Sequence, residues 1–116
     1  MTSVWAAGER HRLNAIWLDL LEQAGNLRLH AGRPEDAIAA AEHGILLDGR
    51  NERFVRLAMH AEAALGRRDA ILERYERLRH ELNDRYGLEP ERDTRRLYRQ
   101  LLSQDPASLD HDAAYS

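Results

Sequence analysis

The sequence predicts an all-α fold: a right-handed stack of antiparallel helix pairs, about five helices in all. Three observations predict it. Apolar residues recur at steps of three and four, as in Ala70, Ile71, Tyr75, Leu78, Leu82 and Tyr86, which draws one stripe along a helix. Glycine and proline fall between such stripes, at Gly32-Arg33-Pro34, Asp48-Gly49, Gly66 and Gly87 to Pro90. Finally, Gly32-Arg33-Pro34-Glu35-Asp36-Ala37-Ile38 reappears as Gly66-Arg67-Arg68-Asp69-Ala70-Ile71 with one residue deleted.

Taken in order, residues 1–7 read as a frayed N-terminus, with Trp5 able to pack back onto the first helix. Gly8 to Ala31 reads as that helix, a long one with Leu13, Trp17, Leu20, Ala24, Leu27 and Ala31 on one inward stripe, widened by Ile16 and Leu21. Gly25 costs about 1 kcal/mol in such a helix, which points to a close-lying neighbour there. Pro34 suits the first position of a second helix, Glu35 to Leu47, with Ala37, Ile38, Ala41 and Ile45 inward. Asn51 caps a third helix that runs to Leu65 and turns Phe54, Leu57, Ala58, Ala61 and Leu65 to the core. The fourth helix ends at Gly87, a residue suited to the left-handed closing position. Pro90 holds Glu89 extended and starts the last helix, where Leu97, Tyr98, Leu101 and Leu102 form the apolar side. Residues 8–103 thus make one helical domain. Residues 104–116 lack periodicity, are acidic, and read as a disordered tail.

The two repeat glycines lie 34 residues apart, the period of tetratricopeptide repeats. Each repeat is a helix pair that cannot bury its apolar face alone, so pairs must stack. The proline that closes many such repeats is missing, with Gly49 near its place, so the fold is tetratricopeptide-like.

Composition narrows the function. There is no cysteine, hence no disulfide framework and no thiolate metal site. No apolar run is long enough to cross a membrane, and the expected location is cytoplasmic. All 17 basic residues are arginine, which reads as the codon usage of a high-GC genome. The net charge of -3 argues against a chain that coats nucleic acid.

No nucleophile elbow, phosphate-cradling glycine loop or dinucleotide fingerprint occurs, so no enzyme activity and no cofactor are expected. His30, His43 and His60 could converge in a stacked fold, yet no HxxxH spacing supports a metal site. Arg92, Arg95, Arg96 and Arg99 share one face of the last helix, and Arg67, Arg68, Arg74, Arg77 and Arg85 add cations nearby. Acids interleave with them, in pairs such as Glu73–Arg77 and Glu81–Arg85, so direct DNA contact is not expected. The four arginines of the last helix are the candidate partner-binding residues. Trp17, Tyr75, Tyr86 and Tyr98 read as core, and any of them found exposed becomes a candidate partner anchor.

The stretch Gly66-Arg67, Ala70, Tyr75-Glu76-Arg77-Leu78-Arg79, Glu81-Leu82, Tyr86-Gly87-Leu88-Glu89-Pro90, Thr94-Arg95 and Leu97-Tyr98 resembles the end of the bacterial transcriptional activator domain of actinobacterial antibiotic-regulatory activators. The likeness covers roughly residues 5 to 103, and a generic helical repeat does not require its YGLEP corner followed by TRxLYxxLL. The resemblance implies a helical module that packs behind a winged-helix DNA-binding domain, supports dimerisation or activation, and contacts RNA polymerase. It also makes Gly87, Leu88, Glu89 and Pro90 a structural corner. Because Trp5 to Ala31 matches a later helix of that module, the chain is expected to start in mid-domain, without its winged helix. The Gly8–Ala31 helix would then keep an apolar face for self-association or docking. A protein partner, RNA polymerase or a winged-helix domain, is therefore expected. A tetratricopeptide-like adaptor outside transcription is the alternative, and it would use the concave inner helices instead of the last helix.

Overall fold

A computed structural model describes the backbone of residues 2–104 and the side chains of residues 8–104. Five helices follow one another: α1 (Thr2–His30), α2 (Pro34–Leu47), α3 (Glu52–Ala64), α4 (Arg68–Tyr86) and α5 (Arg92–Ser103). The tail expected from 104 onwards falls, after Gln104, outside the described residues, and so does the packing expected of the Trp5 side chain. α1 starts at Thr2 rather than at Gly8. No proline interrupts its first turns, and one glycine costs only about 1 kcal/mol, too little to end a long helix.

The internal repeat is the same turn made twice. After α1, Gly32 takes φ 75°, its N–H donates to Leu29 O at 3.1 Å, and Arg33 N–H donates to Arg28 O at 2.9 Å. After α3, Gly66 takes φ 70°, its N–H donates to Ala63 O at 3.0 Å, and Arg67 N–H donates to Glu62 O at 2.9 Å. This pair of bonds is the Schellman closure, which satisfies carbonyls that the helix end leaves free. Pro34 then opens α2 with Glu35 and Asp36 in its first turn, where the helix dipole favours them. Asn51 caps α3 by accepting from the Arg53 N–H at 3.1 Å.

α3 is the axis of the fold and touches each of the other four helices. Towards α1 and α2 it offers Leu57, Ala58 and Ala61 to Ala37 and Ala41, with Leu29 and Ile38 beside them. Towards α4 and α5 it offers Val55 and Met59 to Ile71, Leu78, Leu82 and Leu97. The first cluster is built of small residues and brings backbones close. A Cβ at Gly25 would lie 2.5 Å from Leu57 Cδ2, and one at Gly44 would collide with the fully buried Phe54 ring. The neighbour expected beside Gly25 is therefore α3, with Ala40 of α2 next to it.

The inward stripe expected on α1 faces outward. Leu13, Ile16, Trp17, Leu20 and Leu27 are exposed, Leu27 by 71%. The side that meets α2 and α3 carries Leu18, Leu21, Glu22, Gly25 and Leu29. Glycine decides this orientation, because only at Gly25 can the α1 backbone approach Leu57. The bulkier face would hold the helices apart and forfeit close packing.

Candidate protein-contact surfaces

The corner between α4 and α5 is fixed from both sides. Gly87 closes α4 in the left-handed conformation, φ 62°, with its N–H donating to Asn83 O at 3.0 Å. The Leu88 N–H reaches back to Leu82 O at 3.1 Å. Pro90 is buried, while Gly87, Leu88 and Glu89 are exposed. From α3, the buried Glu52 accepts the Glu91 N–H at 2.9 Å, supplying from a distant helix the cap that α5 lacks locally. One turn on, Arg56 Nη1 donates to the hydroxyl of the fully buried Thr94 at 2.7 Å and lies 3.9 Å from Glu91.

That anchorage sets the orientation of α5. Thr94 and Leu97 face α3, and Arg92, Arg95, Arg96 and Arg99 all face solvent. Among the described residues none of these four arginines forms an ion pair or a side-chain hydrogen bond. Three of them, Arg92, Arg95 and Arg99, line an open cleft of about 480 Å³ together with Tyr75 and Tyr98. The two tyrosine rings stack across α4 and α5 at 3.8 Å with 4° between their planes. Burial raises the Tyr75 hydroxyl above its ordinary pKa against the opposing pull of Arg95, so it stays a donor at neutral pH. Arg96 lies on the same helix face but outside the cleft lining.

The other arginines do not join this group. Arg74 is half-buried and chelated: its Nε and Nη2 donate to Glu62 at 2.9 and 3.0 Å, and Nη2 also donates to Glu42 at 3.0 Å. Burial works against the Arg74 charge, but the bonds to Glu62 and Glu42 outweigh it and hold the guanidinium above its usual pKa. Arg67 pairs with Glu35 at 3.0 Å, and Arg68 donates to Leu102 O at 2.8 Å. Glu81–Arg85 forms at 3.4 Å. Glu73–Arg77 is not among the ion pairs of the described residues, and Arg79 instead grips Glu76 at 2.8 and 2.9 Å. The free cationic surface is thus narrower than the sequence suggested: the four arginines of α5 and, on α4, the exposed Arg77.

Two of the four aromatic residues read as core are at the surface. Trp17 is 51% exposed at the centre of the outer α1 face, between Leu13, Ile16 and Leu20. Tyr86 is exposed too, with the Arg50 guanidinium 4.3 Å above its ring. The outer α1 face and the α5 cleft are therefore two surfaces able to engage a partner, one apolar and one cationic. His30, His43 and His60 do not converge, and no group of three potential metal ligands occurs among the described residues.

Sequence reasoning missed the polar clamps around α3. Their signal was present, because Glu52, Val55, Met59 and Glu62 fall at steps of three and four on a single stripe. An acid on such a stripe demands a buried cation or N–H partner, and Arg74 and the Glu91 N–H are those partners.

A family model described as the bacterial transcriptional activator domain matches residues 1–102. No curated protein and no solved structure matches the chain.

Proposed function

This chain belongs to the bacterial transcriptional activator domain family, and from that premise we propose that it serves an activator of the actinobacterial antibiotic-regulatory type through protein contacts. The family is regulatory and non-catalytic. No described helix is long and apolar enough to cross a membrane. The partner is RNA polymerase or a winged-helix DNA-binding domain, met in the cytoplasm.

The observation that carries this reading is the outer face of α1, where Trp17 stands among Leu13, Ile16, Leu20 and Leu27 with no described helix over them. An apolar face of that kind is stabilised by covering it with another protein surface. The exposed arginines of α5 supply a second, charged contact that gives orientation more than affinity.

The test is affinity capture from the host lysate with three chains: native, Trp17→Ser/Leu20→Ser, and Arg95→Glu/Arg99→Glu. The expected result is recovery of RNA polymerase subunits or a winged-helix regulator by the native chain, lost with the α1 pair and reduced with the α5 pair. Recovery of proteins unconnected with transcription, unaffected by the α5 pair, would replace this reading by the adaptor.

A further inference from the structure

We propose that the cleft between α4 and α5, floored by the stacked Tyr75 and Tyr98 and rimmed by Arg92, Arg95 and Arg99, binds a carboxylate-rich segment of a protein partner. The proposal rests on the protein-contact reading above and names the chemistry of one contact.

Three features of the site point to that ligand. The rim guanidiniums have no carboxylate partner among the described residues, whereas Arg67, Arg74, Arg79 and Arg85 are all paired. An unpaired guanidinium offers a planar fork that matches a carboxylate with two parallel hydrogen bonds. The cleft volume, about 480 Å³, lies inside the ~300–1,000 Å³ range of small-ligand pockets, enough for a few side chains. The floor is rigid, since the tyrosine pair locks α4 to α5 at 3.8 Å and leaves no ring to reorganise on binding.

Charge on the surrounding surface separates a peptide from a duplex. Glu76, Glu89 and Asp93 are exposed near the cleft, and the Glu89 charge is felt at both Tyr75 and Arg79. A duplex backbone spreads negative charge over a surface wide enough to meet those acids, and the chain as a whole carries -3. A short acidic segment can seat on the three arginines and leave most of that surface uncovered. One competing acid source lies in the chain itself, because residues 105–116 contain Asp105, Asp110 and Asp112 and no arginine. The experiment separates it from a partner.

Fluorescence anisotropy with a labelled hexaglutamate peptide and the full chain, at about 50 mM salt where electrostatic binding is strongest, tests the assignment. The expected result is saturable binding that Arg95→Gln/Arg99→Gln weakens about tenfold or more, since two charge-assisted contacts are lost. The control pair Arg10→Gln/Arg77→Gln removes the same charge elsewhere and should change affinity by less than about twofold. Circular dichroism checks that every variant keeps its helices. Three results would overturn the proposal: no peptide binding by the native chain, an equal loss in the control pair, or tighter binding to a duplex than to the peptide. An Asp105→Asn/Asp110→Asn/Asp112→Asn chain that binds while the native chain does not would assign the cleft to the chain's own acids, overturning the partner. If lysate capture succeeds through Trp17 and the peptide fails, the cleft proposal alone is lost.

Discussion

At one end of the stack, α5 turns Thr94 and Leu97 inward and four arginines outward. At the other end, α1 turns Gly25 and Leu29 inward and leaves Leu13, Trp17, Leu20 and Leu27 outward. A stack of helix pairs needs a terminal helix with a polar outer face, and α5 is such a cap. α1 is apolar on opposite faces, the pattern of a helix with neighbours on both sides. The difference teaches that the two ends have different roles. One end closes the described stack and exposes charge, and the other presents an apolar face that no described helix covers.

Matched substitutions can break that contrast. Leu97→Ala removes a buried contact of the capped end, and urea unfolding should show a loss of about 2–5 kcal/mol. Leu20→Ser on the outer α1 face should lower the same stability by no more than about 0.5 kcal/mol. Similar costs at both positions would mean that α1 is covered in solution. On the inner side of α1, Gly25→Ala gains about 1 kcal/mol of helix propensity but forces Leu57 aside within a packed core. Overpacking of this kind costs roughly 1–3 kcal/mol, so a net loss and a lower melting temperature are expected. A more stable Gly25→Ala chain would show that the inner contact is looser than described.

Smaller effects sharpen the comparison. Glu52→Ala strips α5 of its only cap, and a loss of about 0.5–2 kcal/mol should appear with faster amide exchange in the first turn of α5. His60 is held below its ordinary pKa, by burial first and by the nearby Arg56 second, so the folded chain takes up its proton less readily than the unfolded one. The stability this gives is complete above the unfolded value of 6.5 and declines as pH falls through it. His60→Gln should flatten the slope of stability between neutral and mildly acid pH, and an unchanged slope would remove His60 from the account.

Much of the fold was legible because helix ends here are written locally. The glycines at 32, 66 and 87 each close a helix with positive φ, and Pro34 and Asn51 open one as their chemistry requires. The orientation of α1 was not legible. Periodicity marks an apolar stripe but not which of two stripes meets a neighbour, and here the weaker one does because it holds Gly25. The same limit hid the clamps of Glu52 and Glu62, whose partners lie 39 and 12 residues away along the chain. The arginine face of α5 could be read from spacing. Its freedom from ion pairs could not, because Arg74 and Arg85 have the same local appearance and are paired.

The placement of the aromatic rings gives the protein built-in optical reporters, one at each end. The chain's two tryptophans, Trp5 and Trp17, both belong to α1, so its tryptophan emission speaks for that helix alone. With Trp17 half exposed its share of the emission should be red-shifted, and a partner seated on α1 should move that share to the blue. At the other end, the parallel Tyr75–Tyr98 stack is a coupled chromophore that exists only while α4 and α5 hold their register. Its near-ultraviolet circular dichroism should vanish when α5 lifts away, whether or not the tryptophan spectrum changes. Occupancy of one surface and integrity of the other can thus be followed in the same cuvette without a label.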